Sequence, residues 1–449
     1  MRVLIANHRY VLASGAERYL FNISAELEAR GHTVMPFSMR HRNNAPTDYG
    51  DYFVSPIDPQ DQLYFSEYRS RPAVLARSFA RLFYSKEVER AAERMAREVK
   101  PDVAYVLLYL RKLSPSLLVG LKRAGVPIVV RLSDYGMFCA QTYCVREGKP
   151  CTACLDGSLL PSVIHGCVEN SRAVSAVHAL AMSFQRARGY FDLVDQFVAT
   201  NTFMQEMMRR AGLPAQRLTC IPTFVDIERF RPARAAPTGG PYILYVGRLH
   251  KVKGAHLLID AMRLLRARGR TMRLKIAGVG QDLSYVDALK QQVADAGLSE
   301  QVEFAGQVDP FAVPELYQEA LCAVVPAVGY ENLPNVVLES LACGAPVIAS
   351  DAGSLACTLT DGADSLLFPP GDAGALADRI ARIADDPELR ARLSAGARAT
   401  AVRAHAPEAH VARLLSLFEH VTRQAPIAAP AAPARSERMA RDQAPDCAL

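Results

Sequence analysis

Short apolar runs alternate with helix-length amphipathic stretches in two series along this chain, and a Pro-, Gly- and Ala-rich stretch separates the series. In the first series strands are expected at 3–6, 33–37, 102–107, 128–132, 196–200 and 217–221, with helices at 15–30 and through 210. The second series opens at Tyr242-Ile243-Leu244-Tyr245-Val246-Gly247 and continues with strands at 273–277, 302–304, 322–325 and 346–349. Alternation of this kind builds parallel sheets covered by helices. Two doubly wound α/β domains are therefore expected, with ligands at the carboxyl ends of the strands in the cleft between them. A length of 449 residues suffices for two such cores. The expected boundaries are a first domain over 1–225, a linker over 226–241, a second domain over 242–406, a final helix over 407–422, and a disordered Ala-, Pro- and charge-rich tail over 423–449.

Composition narrows the partners. A net charge of +6 is mild for this length and does not imply nucleic acid. No segment has the apolar run needed to span a bilayer, and the first apolar run breaks at Asn7-His8, too early for a signal peptide. Cytoplasmic placement is the expectation, so the ten cysteines should be thiols or metal ligands rather than disulfides. One basic stretch stands out. Arg71, Arg77, Arg81, Lys86, Arg90, Arg94, Arg97 and Lys100 outnumber Glu87, Glu89, Glu93 and Glu98, with Val74, Leu75, Phe79, Leu82 and Phe83 interleaved. Two readings stay open: a helix pair with solvated outer faces, or a surface resting on anionic lipid headgroups at the inner face of a membrane.

The most specific stretch is Tyr330-Glu331-Asn332-Leu333-Pro334-Asn335-Val336-Val337-Leu338-Glu339, followed by Ser340-Leu341-Ala342-Cys343-Gly344-Ala345-Pro346. Pro334 suits a first helical position, Val337, Leu338 and Leu341 recur at helical spacing, and Gly344 and Pro346 end the helix. One carboxylate then precedes a helix N-terminus and a second lies a turn inside it, beside free amides. This pattern resembles the second-domain signature of the family 4 glycosyltransferases, retaining enzymes of the GT-B fold. The resemblance implies two Rossmann-like domains facing across a cleft, with a C-terminal helix crossing back to the first. It also implies that Glu331 and the amides of Asn332 and Leu333 hold a donor sugar, and that Glu339 holds the nucleotide ribose.

Further segments resemble the same family. In Gly247-Arg248-Leu249-His250-Lys251-Val252-Lys253-Gly254 a strand ends and a helix begins, and Arg248 and Lys253 offer a planar fork and a mobile point charge to a diphosphate. Ala277-Gly278-Val279-Gly280 resembles a turn passing near the nucleobase, with an ordinary tight turn as the open alternative. Ser14-Gly15-Ala16-Glu17-Arg18 resembles the family's Gly-Gly-Ala-Glu turn, and Gly15 would let the backbone approach donor phosphate. The first domain departs from the family at Leu132-Ser133-Asp134-Tyr135. Ser133 stands where many relatives have a His against the donor sugar. Asp134 either orients donor or acceptor hydroxyls or caps a following helix.

Cys139, Cys144, Cys151, Cys154 and Cys167 crowd a loop-like stretch over 139–167. Cys144, Cys151, Cys154 and Cys167 suffice for a structural Zn²⁺, with a lid of reduced thiols as the alternative. No Asp-x-Asp occurs in the sequence, so Arg248, Lys253 and helix ends would neutralise a leaving diphosphate without a catalytic metal. The expectation is a retaining, metal-independent glycosyltransferase of the hexosyltransferase type. Its donor is a UDP- or GDP-linked sugar, and its acceptor a glycan or lipid-linked glycan of a cell-surface polysaccharide or glycolipid pathway. A catalytically silent nucleotide-sugar binder is the alternative that Ser133 favours. A nicotinamide dehydrogenase lacks its Gly-x-Gly-x-x-Gly after the first strand.

Overall fold

A computed structural model describes residues 1–12, 15–58, 72–233, 240–280 and 282–424. Ser14 of the glycine turn, Arg71 of the basic stretch, part of the expected linker and the tail beyond 424 lie outside the described residues.

The first half folds as β1 (Arg2–Ala6), α1 (Gly15–Glu28), β2 (Thr33–Phe37), α2 (Pro72–Phe83), α3 (Lys86–Val99), β3 (Val103–Val106), α4 (Ser116–Arg123) and β4 (Ile128–Arg131). A small hairpin follows, β5 (Val145–Arg146) and β6 (Lys149–Pro150), then α5 (Leu160–Ile164), α6 (Arg172–Ala187), β7 (Gln196–Ala199), α7 (Thr202–Arg210) and β8 (Leu218–Cys220). Six of these strands form a parallel sheet in the order β2-β1-β3-β4-β7-β8. The middle strands are buried on both faces. That is why Val103-Ala104-Tyr105-Val106 reads as a continuous apolar run rather than an alternating one.

The second half runs β9 (Tyr242–Val246), α8 (Ala255–Ala267), β10 (Arg273–Ala277), α9 (Leu283–Asp295), β11 (Val302–Gly306), α10 (Val313–Glu319) and β12 (Ala320–Val325). It continues with α11 (Asn335–Ala342), β13 (Val347–Ser350), α12 (Gly353–Thr358), β14 (Ser365–Phe368), α13 (Ala373–Asp385), α14 (Pro387–Ala404) and α15 (Pro407–Gln424). Its parallel sheet has the order β11-β10-β9-β12-β13-β14, which reverses direction between β9 and β12. In the first sheet the reversal falls between β1 and β3. Crevices open at the carboxyl ends of the strands at such points.

Three local readings change. Pro334 occupies the position before α11, with extended backbone (φ −66°, ψ 134°), so the helix begins at Asn335. The strand β14 was not anticipated; Ser365-Leu366-Leu367-Phe368 is a short apolar run stopped by Pro369-Pro370. The hairpin β5–β6 lies inside the cysteine-rich loop, where no strand was expected.

The last helix returns to the first half. Val411, Leu414, Phe418 and Val421 of α15 bury with Val3, Ile5, Tyr19 and Leu20. His410 fastens this contact. Its Nδ1 lies 2.7 Å from the Pro222 carbonyl, which can only accept, so Nδ1 carries the proton and Nε2 accepts from the Tyr19 hydroxyl at 2.8 Å. Burial pushes this imidazole down to about 4, which keeps it neutral in that role. Arg398 of α14 donates to the carbonyls of Ile227, Phe230 and Ala342, tying the start of the second half to the end of α11.

Candidate active site

The cleft brings together side chains from the carboxyl ends of β9 and β12. Gly247 (φ +154°) follows β9, and Gly254 (φ +75°) precedes α8. A Cβ on Gly254 would lie 1.8 Å from the Pro326 carbonyl oxygen, so only glycine lets this turn pack under the end of β12. Between them stand Arg248 and Lys253. The Lys253 ammonium donates to both oxygens of Glu331, at 2.8 and 2.7 Å. Arg248 reaches the Tyr143 hydroxyl at 3.4 Å across the cleft. His250 lies on the same turn, and burial, then Arg248 and Lys253, lower its pKa. Four groups of the turn and the Glu331 loop thus share one electrostatic environment.

The segment after Glu331 is held rigidly. Leu333 takes φ +94°, a backbone conformation rare for a leucine. It persists because its surroundings are overdetermined. Tyr135 and Ser354 donate to the Glu331 carbonyl, at 2.9 and 2.6 Å. Asn332 donates to the Leu132 carbonyl at 2.9 Å and accepts from Thr200. The kinked backbone aims the start of α11 into the cleft, where free amides and the positive helix end favour oxygen-rich groups.

Glu339 lies one turn inside α11 and is 2 % exposed. One carboxylate oxygen pairs with Arg18 of α1, and the other accepts from Tyr317 at 3.1 Å. Arg18 joins the site without having been singled out from sequence. Gly15 lies beside it at the start of α1, and Asn335 donates to its carbonyl at 3.2 Å. A small cavity here is lined by Arg18, Asn22, Asp226, Asn335 and Glu339 among others. Gly278 takes φ +148° and a Cβ there would lie 1.9 Å from the Gly247 carbonyl oxygen. Its glycine identity is explained by that packing.

Ser133 and Asp134 belong to a second cavity, of about 170 Å³, at the reversal point of the first sheet. His8, Leu107 to Lys112, Val130 to Asp134, Gly136, Met137 and Thr142 line it. Ser133 is engaged by Arg131, whose guanidinium donates to its hydroxyl at 3.0 Å, donates to Thr223 at 2.9 Å and stacks on Tyr19 at 4.0 Å. Asp134 caps no helix. It accepts from the Gly136 amide at 2.8 Å in a turn, and burial raises its pKa against the pull of Arg111. The Tyr109 hydroxyl is buried in this wall with no hydrogen-bond partner. His8 is neutral, because burial, then Lys112 and Arg9, push its pKa well below the ordinary value. Sequence reasoning missed His8, Tyr109, Arg111 and Lys112. The signal was their position directly after β1 and β3.

Residues 226–400 match the family model described as Glycosyl transferases group 1. The second half of this chain is thus similar to the glycosyl transferases group 1 domains. Its curated relatives include a D-inositol 3-phosphate glycosyltransferase of Frankia alni, 34% identical over 195 residues, which are 40% of this chain and 48% of that protein. An alpha-D-kanosaminyltransferase of Streptomyces kanamyceticus is 30% identical over 209 residues, 44% of this chain and 53% of that one. The chain thus spans about half the length of the curated relatives it matches. Sucrose-phosphate synthase from Thermosynechococcus elongatus superposes with a TM-score of 0.73 at 20% identity, over 94% of this chain and all of that one. Anabaena HepE in complex with UDP-glucose superposes at 0.65 with 18% identity, over 94% of this chain and 100% of that chain. Both are GT-B proteins, and the fold of this chain is GT-B.

The cysteine-rich loop packs against the second half of the chain. Val145 clusters with Val252 and Val328, and the Tyr143 and His250 rings lie 5.5 Å apart. Among the described residues, Cys144, Cys151, Cys154 and Cys167 included, no group of three His, Cys, Asp or Glu side chains is arranged to hold a metal ion. Instead, the hairpin register sets Cys144 opposite Cys151, whose amide donates to the Cys144 carbonyl at 2.8 Å. Cys139, not among those four, lies beside Cys144. The neighbouring Cys144 thiol, then backbone amides of the loop, hold the Cys139 thiol down to about 6, while burial raises Cys144. These five cysteines are free thiols.

Proposed function

We propose that this protein is a retaining, metal-independent glycosyltransferase that moves a hexosyl group from a UDP- or GDP-linked sugar to an acceptor hydroxyl. The observation that carries the reading is the placement of Arg248, Lys253 and Glu331 on two facing turns at the reversal point of the second sheet. The donor diphosphate lies across Arg248 and Lys253, and Lys253 exchanges Glu331 for phosphate oxygens. Glu331, with the amides of Asn332 and Leu333, holds the sugar hydroxyls. Glu339 holds the ribose, with Arg18 keeping it oriented.

The bond from the anomeric carbon to phosphate breaks toward an oxocarbenium-like state. The acceptor oxygen attacks the same face and its proton passes to the departing phosphate oxygen, releasing a nucleoside diphosphate. Fixed cations in a water-poor cleft stabilise the charge that develops there. The first-sheet cavity takes the acceptor, with the Tyr109 hydroxyl and Asp134 meeting its hydroxyl groups. A glycan or lipid-linked glycan of a cell-surface pathway fits this reading, with transfer taking place at the inner face of the membrane. No described helix is long and apolar enough to cross one.

A thermal-shift panel of UDP-, GDP-, ADP- and dTDP-sugars tests the donor. One donor at about 100 times its Kd should stabilise the protein by about 2.7 kcal/mol. UDP-glucose, held by HepE in the same fold, is the first to try. NMR of the product then reads the anomeric configuration. An inverted product, or no response to any nucleotide sugar, overturns the proposal. Ser133, engaged by Arg131 where relatives carry a His, favours one second reading: a binder that shows the thermal shift but neither transfers nor hydrolyses the donor.

A further inference from the structure

We infer that helices α2, α5 and α6 form a face that docks on an anionic bilayer. Among the described residues nine large apolar side chains are exposed, and four of them, Phe79, Leu160, Ile164 and Leu180, fall on these three helices, of which α6 packs against both α2 and α5. They form one strip. Phe79 stacks on Phe83 at 4.5 Å, and Phe83 meets Phe184 of α6 at 5.7 Å. Leu180 lies one helical turn from Phe184. At the other end of α6, Arg172 donates to the Ile164 carbonyl at 3.2 Å, joining α5 to the strip. The rest of the outer face of α6 is Ala173, Ala176, Ser183 and Ala187.

Charge selects the occupant. None of the three helices contains an acidic residue, whereas Arg77, Arg172 and, just past α6, Arg188 are exposed. An apolar strip on helices that carry cations and no acidic residue complements anionic headgroups over acyl chains. α3 is different. Its Lys86 pairs with Glu89 and its Arg97 with Glu93, which leaves the solvated helix face as the reading for that half of the basic stretch.

The strip is rigidly built. Buried Gln185 of α6 donates to the Leu82 carbonyl at 2.7 Å, fixing α6 to α2. Arg186 donates at 3.1 Å to the carbonyl of Met137, which lines the first-sheet cavity. A docked protein would hold that cavity near the lipid surface, where a lipid-linked acceptor presents its glycan. This last step rests on the proposed function; the docking itself does not.

The test is co-sedimentation of the full chain with vesicles of phosphatidylcholine alone or with ~30% phosphatidylglycerol. Binding should require the anionic lipid and fall with salt. Phe79→Ser with Leu180→Ser should weaken it at least about tenfold. Arg77→Gln and Arg172→Gln should each weaken it about fivefold. The melting temperature of the free protein should be unchanged in the variants and shows that they fold. Three results would overturn the inference: no binding at low salt, binding indifferent to Phe79 and Leu180, or sedimentation showing a dimer that the double serine variant abolishes, which would make a second copy the occupant.

Discussion

The two crevices of this molecule are built by different means. At the reversal point of the second sheet, the candidate groups sit on two short turns: Arg248 and Lys253 on one, Glu331 on the other, with Glu339 a helical turn further. At the reversal point of the first sheet, they come one or two at a time from the ends of several strands: His8, Tyr109, Arg111, Asp134. The first arrangement is local in sequence and fixed by glycines and a strained leucine. The second exists only once β1, β3 and β4 lie side by side. A diphosphate with its ribose is a constant ligand, and fixed charges on a stiff turn suit it. An acceptor varies, and a cavity assembled from separate loops can change one wall without disturbing the sheet.

The sharpest way to break that contrast is at the clamp. Lys253→Ala should lower turnover by roughly 10² to 10³, more than it weakens donor binding, because its charge is used most when the diphosphate departs. A loss confined to donor Kd would place Lys253 in ground-state binding only.

The tie between the halves comes next. His410 is neutral and buried, with its pKa lowered from 6.5 to about 4, so the unfolded chain takes up this proton first as the pH falls. Its contribution to stability is full above about 6.5 and is lost through the window down to about 4, amounting to roughly 3 kcal/mol. Denaturant titrations across that range should show a steeper decline for the wild type than for His410→Gln. Parallel curves would mean that the helix α15 is held without it.

In the first crevice the expected effects are smaller. Tyr109→Phe should raise acceptor KM about tenfold and leave donor affinity alone, since the buried hydroxyl has only a ligand to bond. A change in donor Kd instead would merge the two crevices into one site. Smallest of all is Ser133→Ala. Its hydroxyl is spent on Arg131, and one neutral hydrogen bond contributes about 1 kcal/mol, so donor Kd should stay within about tenfold.

Legibility in the sequence followed the same division. Both sheets could be read because buried parallel strands are unbroken apolar runs at regular spacing. The strand β14 escaped because four residues between a turn and two prolines carry little periodicity. Glu331, Glu339, Arg248 and Lys253 could be singled out because helix punctuation and charge coincide on short segments. Arg18 could not, since its partner Glu339 is 321 residues away. The cysteines illustrate the limit. Cys-x-x-Cys spacing suggests ligands but does not show the hairpin between them, whose register sets the backbones of Cys144 and Cys151 opposite each other. The basic stretch has a similar limit: sequence weighs α2 and α3 together, while the structure shows ion pairs within α3, Lys86 with Glu89 and Arg97 with Glu93.

The central claim is that the second half of the molecule supplies the whole counter-charge for the leaving diphosphate. The most direct measurement is the initial rate of donor consumption in excess EDTA, for the wild type and for Arg248→Ala with Lys253→Ala. The account predicts an undiminished wild-type rate and a double variant slower by at least about 10³, the two losses acting on one charge. An immediate Mg²⁺ requirement in the wild type, or full activity in the double variant, would contradict it.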